Sequence, residues 1–245
     1  MSAGVNDSSE AQAQRTAGGT RLQAFVDAAF AFAVTLLVLT TSDAIPRDTA
    51  DFVAALRRIP AFAMSFALIS MFWYAHVQWS QRFGLRDGWS TFFSFALVFT
   101  VLVFVYPLRA MAGSFIAFAT GGALPADVAL EGFEGFRVLV MTFGLAYLTM
   151  STLMASLYWR ACRVYRKAPA LTPADRDAAA EARSRRTVWI IQAGSALLSF
   201  ICAASGVPSL VSISPWWYSL LAVILPVYGY WQQRRWAAES AAAAG

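Results

Sequence analysis

The stretch that decides the fold is the apolar run from Arg21 to Leu39, RLQAFVDAAFAFAVTLLVL. It begins with a cation, contains one carboxylate at Asp27, and is close to the ~20 residues that cross a bilayer as a helix. A carboxylate within a lipid-spanning helix is unfavourable unless it faces protein or water. The stretch therefore predicts a membrane span whose polar group lies on a protein-facing or water-facing side.

The apolar residues of this span follow a heptad-like spacing. Side chains separated by 4, 3, 4 and 3 positions lie on one face of a helix. Such a stripe fits contact with copies of the same span, so the span is predicted to form the core of an oligomeric membrane protein. Ordinary helix packing and a hydrophobic constriction in a symmetric pore are both compatible with the spacing. The row consists of Phe25, Ala29, Phe32, Leu36 and Leu39.

Composition indicates that the whole chain belongs to a membrane. Of its 245 residues, 58% are hydrophobic and only 13% are charged, and the mean hydropathy is +0.54. A soluble domain of this length needs more charge to cover its surface. The predicted fold class is therefore all-α, a polytopic membrane protein with six transmembrane helices. The predicted spans are roughly 22–41, 60–81, 89–112, 136–158, 187–205 and 214–231. Pro107 is expected to kink or end the third span, and Thr172 followed by Pro173 is expected to be the N-cap and the first residue of a helix.

The two ends of the chain differ from its middle. Residues 1–20 are small and polar, without the order of a signal peptide, and are predicted to be a disordered cytoplasmic tail. Residues 21–236 form the predicted six-span domain, and 237–245 an alanine-rich flexible tail. Most of the 19 Lys and Arg residues fall on the side that holds both ends, notably within 160–186. Because basic residues collect on the inner side, both termini are predicted to be cytoplasmic, in a cell membrane.

Residues able to carry chemistry are scarce. Cys162 and Cys202 are the only cysteines and His76 is the only histidine, so the sequence contains no metal-ligand cluster. It also lacks a phosphate-binding glycine loop and a convincing serine–histidine arrangement. We therefore expect no enzyme activity and no cofactor. The net charge of +5 is a topology signal, and the expected partner is the lipid bilayer with no nucleic acid.

Two ionisable residues within the predicted spans, Asp27 and His76, allow several interpretations. Asp27 lies nearly on the same helical face as Thr35 and fits a buried polar network, a cation-attracting group at a pore mouth, or a cap of its own helix. Arg21 precedes Asp27 by six residues, about 120° round the helix, so a pair between them is not assured. His76 fits a proton-sensitive group, a polar partner for the first span, or an interfacial histidine bonded to a backbone carbonyl.

The first span also resembles a known family. Its pattern is similar to R-x-x-x-F-S-D-[GA]-x-x-A-I-x-x-T-L-L-V-L, found in prokaryotic relatives of the endolysosomal potassium channel called transmembrane protein 175. The second-span stretch Phe72-Trp73-Tyr74-Ala75-His76 is similar to the aromatic–Trp…His stretch of that family. In this chain the first pattern is carried by Arg21, Phe25, Val26, Asp27, Ala28, Ala31, Phe32, Thr35 and 36–39.

The resemblance implies a potassium-permeable, weakly selective cation channel, with protons as a further candidate ion. It implies a homotetramer in which the four first spans line a central path. The implied constriction is formed by Phe32, Leu36 and Leu39. The implied polar network that holds the pore helix consists of Arg21, Asp27, Thr35, Trp73 and His76.

The chain departs from the family pattern at two positions. Val26 replaces a serine and removes a hydroxyl from the implied network. Phe32 stands where a branched aliphatic residue is usual, and four phenylalanines at one level would narrow a pore or gate it by dewetting. Two alternatives therefore stay open: a proton-coupled small-molecule transporter that uses Asp27 and His76, and a non-conducting structural membrane protein.

Overall fold

The computed structural model is α-helical, and the residues it describes contain no strand. They are 3–39, 47–85, 87–126, 128, 132–166, 172–221, 223–231 and 234, with side chains from residue 21 onward except at 173. The helices are α1 Ala3–Leu39, α2 Thr49–Arg57, α3 Ile59–Phe83, α4 Gly88–Ala119, α5 Gly132–Arg166, α6 Pro173–Ala204, α7 Pro208–Ile213 and α8 Trp216–Ser219. A last helical stretch covers 223–231.

Within the described ranges, six helical stretches are long and apolar enough to cross a membrane, which confirms the predicted fold class. Several of them are longer than a bilayer requires. The 35 residues of α5 would extend about 52 Å, against a hydrocarbon core of about 30 Å. The ends of α5 therefore project beyond the lipid interior. The six stretches are Arg21–Leu39, Thr49–Phe83, Gly88–Ala119, Gly132–Arg166, Ala174–Ala204 and Pro208–Trp231.

The ends of the helices agree with the sequence in some places and differ in others. The backbone of α1 is already helical from Ala3, where a disordered tail was expected, and this segment contains no proline to interrupt a helix. Helix α4 continues through Pro107 to Ala119, where a kink or an end was expected. Intramembrane helices tolerate proline because neighbouring groups satisfy the freed carbonyl. The predicted tail 237–245 lies outside the described residues.

The start of α6 is the best-predicted boundary. Thr172 is its N-cap and Pro173 its first residue, as the sequence indicated. The Asp175 amide donates to Thr172 Oγ1 at 3.2 Å, and the Thr172 amide donates to Asp175 Oδ2 at 3.1 Å. This reciprocal capping box satisfies two amides that have no partner within the helix.

Helix α5 is central to the packing of the bundle. It packs extensively along α6 and also contacts α4 and α3, while α1 packs mainly against α3 and α4. Large side chains that are fully buried fill the interfaces of the bundle, among them Trp79, Phe72 and Met150. Because α1 packs mainly against two neighbours, a large part of its surface stays uncovered in the single chain.

Candidate functional site

Helix α1 has one buried face. The side chains that pack into the bundle are at most 3% exposed and recur at intervals of 4, 3 and 4 residues, which is the period of a helix face. This face attaches α1 to α3 and α4. It consists of Val26, Phe30, Ala33 and Leu37.

The opposite side of α1 is uncovered. Phe25, Phe32 and Leu39 are 52%, 55% and 67% exposed. Residues of the exposed face are spaced 4, 3, 4, 3 and 4 positions apart, so they form a continuous row along the helix. We call this row the exposed face of α1, and it consists of Arg21, Phe25, Ala28, Phe32, Thr35 and Leu39.

The exposed face is rotated slightly from the row predicted from the sequence. Ala29 and Leu36 are only half exposed and pack against the buried core. Ala28 and Thr35 take their places on the open side. Of the three residues of the implied constriction, Phe32 and Leu39 are therefore fully on the exposed face, while Leu36 lies at its edge.

Asp27 links α1 to α3. Its Oδ1 atom accepts a hydrogen bond from Trp73 Nε1 at 2.9 Å and another from Gln23 Nε2 at 2.9 Å. The structure thus brings together two of the predicted network residues, Asp27 and Trp73. Sequence reasoning missed Gln23, although its position one helical turn before Asp27 places the two side chains on the same side of α1.

His76 belongs to a different polar contact. It is 1% exposed, and its Nε2 lies 3.0 Å from Ser94 Oγ in α4. The Ser94 hydroxyl donates to the Ser90 carbonyl at 2.9 Å, so its hydrogen is already used and Nε2 must donate to it. Nδ1 of His76 is buried and has no hydrogen-bond partner among the described residues. The predicted polar network is therefore divided, since His76 bonds to Ser94 rather than to Asp27.

Arg21 and Thr35 lie apart from both contacts in the single chain. The Thr35 hydroxyl donates to the Ala31 carbonyl of its own helix at 3.0 Å. Arg21 is exposed and forms no ion pair with Asp27 within the described part of the chain. Both side chains face the open side of α1.

A third polar contact joins α4 to α5 at the end of the bundle where α3 finishes. Arg160 Nη2 donates to Asp87 Oδ2 at 2.7 Å, and Ser90 Oγ donates to Asp87 Oδ1 at 2.6 Å. Partial burial raises the pKa of the Asp87 carboxyl, but the hydrogen bonds from Ser90 and Arg160 outweigh it and hold the pKa below its usual range. No pattern in the sequence predicts this contact, because it depends on how α4 and α5 meet in space.

The described residues of the site offer no cluster that could hold a metal ion, since no group of three or more His, Cys, Asp or Glu side chains comes together among them. The main feature of the site is a long, mostly apolar face on α1. The hydrogen bond from Trp73 to Asp27 fixes this helix to α3, and Gln23 of α1 donates to the same carboxylate. Such a face suits contact with a second copy or with a passing ion rather than a reaction.

These features define a class, namely a polytopic helical membrane protein whose first span presents an exposed face. Comparison with known proteins defines it further. The family described as "Endosomal/lysosomal potassium channel TMEM175" matches residues 21–107, which contain the second half of α1, all of α2 and α3, and part of α4. A protein of Marivirga tractuosa described as "Potassium channel" is 34% identical over 151 residues, 59% of this chain. The chain covers 60% of the length of that curated relative.

The fold agrees with this result. The chain matches a crystal structure of the potassium channel MtTMEM175, a variant bound to a nanobody fusion protein, with a TM-score of 0.72 and 27% identity, over 87% of this chain and 93% of the other. A TMEM175 homologue from Chamaesiphon minutus matches with a TM-score of 0.49 and 18% identity, over 84% of this chain and 98% of the other. The chain is thus similar to the TMEM175 family of ion channels in the sequence of residues 21–107 and in its overall fold, as its first-span pattern indicated.

Proposed function

We propose that the protein is a potassium-permeable channel in which four copies of α1 surround a central path. The observation that carries the proposal is the exposed face of α1, an apolar row in which Phe32 and Leu39 are more than half exposed. One protomer leaves this face open while the opposite face of the same helix is fully packed. When protomers assemble around a symmetry axis, a neighbouring protomer covers one side of such a face, and the other side of the face lines the central path.

In this arrangement Phe32 and Leu39 form the narrowest levels of the path, with Leu36 beside them. Rings of apolar side chains gate ions by excluding water from the constriction. Because such rings lack carbonyl ligands, discrimination between potassium and sodium is weak. Protons are a further candidate ion.

The polar contacts hold the pore helix. Asp27 fixes the first half of α1 to α3 through Trp73, and His76 fixes α3 to α4 through Ser94. Arg21 and Thr35 lie on the exposed face, so in a tetramer they would meet neighbouring protomers. The potassium channel activity named for both relatives supports the choice of ion.

The distribution of basic residues supports an orientation with both termini in the cytoplasm of a cell membrane. In that orientation the Arg160 end of α5 and the first half of α6 face the cytoplasm. Arg21 then stands at the cytoplasmic mouth of the path. A cation at this position does not attract potassium, so we assign it to contacts between protomers.

Ion flux into proteoliposomes tests the proposal. Purified protein is reconstituted, and the fluxes of K⁺, Na⁺ and H⁺ are compared under imposed gradients for the native chain and for Phe32→Ile. We expect potassium flux in the native chain and a larger flux in Phe32→Ile, because isoleucine is smaller than phenylalanine. Flux in Phe32→Ile alone would mean that the path is present and closed by phenylalanine. The absence of flux from both proteins would contradict the proposal.

A further inference from the structure

A cleft lies at the end of the bundle that holds the basic stretch 160–186. It is formed by the last turns of α3, the second half of α5 and the first half of α6. It has a volume of about 340 Å³, within the range of about 300–1,000 Å³ typical of ligand pockets. It is separate from the exposed face of α1, because none of the described residues of α1 lines it. We call it the basic cleft, and its polar lining consists of Gln78, Gln81, Arg82, Tyr158, Glu181 and Arg185.

The basic cleft has more donors and more positive charge than its own residues use. Arg82 Nε donates to Glu181 Oε2 at 2.8 Å, so one carboxylate balances one of the two guanidinium groups. Arg185 follows Glu181 by four residues, which places both on the same face of α6. The lining residues therefore have one more guanidinium group than carboxylates, while Asp177, outside the lining, also attracts Arg82. The amides of Gln78 and Gln81 add further donors, and this combination favours an anion with several acceptor oxygens.

The level of the cleft relative to the membrane indicates which anions can reach it. Tyr158 in the wall of the cleft is followed by Trp159. The Arg163 guanidinium lies over the Trp159 ring, 4.0 Å from the ring centre. Trp159 is 37% exposed, and exposed Trp side chains gather at the headgroup level of a membrane. The cleft beside it therefore opens at the level of lipid phosphates, next to the aqueous phase.

We propose that the basic cleft binds a phosphate group, with Arg185 as its main contact. Glu181 opposes binding in two ways, because its carboxylate repels the anion and it occupies Arg82. The phosphate is supplied either by the headgroup of an anionic lipid or by a soluble phosphate. The chemistry is the same for both sources, since each presents oxygens to the same guanidinium group.

Three substitutions on α6 test this proposal. Arg185→Gln removes the main contact, and Glu181→Gln removes the repulsion and releases Arg82. Arg176→Gln is the matched control, since it removes the same charge from the same helix. Arg176 precedes Arg185 by nine residues, about 180° round the helix, and so faces away from the cleft.

Binding is measured on the full chain in a neutral detergent by following the melting temperature during titration. One arm adds phosphatidylglycerol and the other adds inorganic phosphate. We expect a saturable rise in the melting temperature of the native chain. In Arg185→Gln the apparent Kd should rise about tenfold, the loss expected for one charge-assisted hydrogen bond. In Glu181→Gln it should fall, and in Arg176→Gln it should stay unchanged.

A response to phosphatidylglycerol alone identifies the lipid headgroup as the source, and a response to both identifies phosphate in general. Tighter binding in Glu181→Gln cannot arise from a loss of folding, so that variant supports the proposal independently of Arg185→Gln. Equal weakening in Arg176→Gln and Arg185→Gln would overturn the proposal, because it would indicate long-range attraction without a site. The lack of a saturable response in both arms would overturn it as well.

Discussion

The hydrogen bond from Trp73 to Asp27 allows a quantitative test of how α1 is held against α3. The donor Nε1 lies 2.9 Å from Oδ1, and the two residues are 46 positions apart in the chain. A hydrogen bond to a charged group contributes roughly 1.5–3 kcal/mol, and less where water competes. Because Trp73 is 38% exposed, we expect Trp73→Phe to lower the free energy of unfolding by about 1–2 kcal/mol. For a chain of this length, that loss lowers the melting temperature by about 2–8 °C.

The measurement is thermal unfolding in detergent, with Trp89→Phe as the control. Trp89 is 62% exposed and its ring lies beside those of Phe92 and Phe93, so this change should shift the melting temperature much less. A double-mutant cycle with Asp27→Ala isolates the contact, and a coupling energy of about 1–2 kcal/mol is expected. Equal effects of Trp73→Phe and Trp89→Phe, or strict additivity with Asp27→Ala, would refute the reasoning.

Three further predictions concern other contacts. Leu37→Ala should lower the free energy of unfolding by about 2–5 kcal/mol because it leaves a cavity at a fully buried side chain. Leu39→Ala should change it by less than about 0.5 kcal/mol. If chemical denaturation shows equal losses for the two variants, the buried and exposed faces of α1 are wrongly assigned. Asp87→Asn should lower the melting temperature by breaking the ion pair with Arg160. Because the pKa of Asp87 in the folded chain is lowered from 3.8, the stabilisation by the ion pair is fully present above pH 3.8 and disappears as pH falls through the lowered pKa. A difference in melting temperature between Asp87→Asn and the native chain that persists in strong acid would contradict this prediction. Tyr147→Phe should cost about 1–3 kcal/mol because it leaves a buried amide oxygen without its donor at 2.6 Å, and an unchanged melting temperature would show that the oxygen finds another partner.

Part of this architecture could be predicted from local sequence. The span length of α1 and the capping residues of α6 are determined within one or two helical turns, and the structure confirms both. The pairing of Asp27 with Trp73 was implied by the family pattern, because spacing along one helix contains no information about a partner on another. The same limit explains why Gln23 was missed, since many polar residues lie one turn from a carboxylate without contacting it.

Contacts that depend on how helices meet were beyond the sequence. Ser94 faces His76, and Arg160 faces Asp87, only because α3, α4 and α5 pack in a particular register. The exact face of α1 was also missed by a small rotation. The 4,3 spacing fits two adjacent rows of residues equally well, and only the packing of α1 on α3 and α4 decides which row is covered.

The central claim is that the exposed face of α1 lines the ion path. It is tested most directly by a cysteine at position 39 in a chain whose own cysteines, Cys162 and Cys202, are replaced by alanine. Potassium flux into proteoliposomes is recorded before and after a charged, water-soluble thiol reagent is added. The control places the cysteine at Val103, an exposed residue of α4. We predict that the reagent abolishes flux through Leu39→Cys and leaves Val103→Cys unaffected, whereas unchanged flux through modified Leu39→Cys would contradict the account.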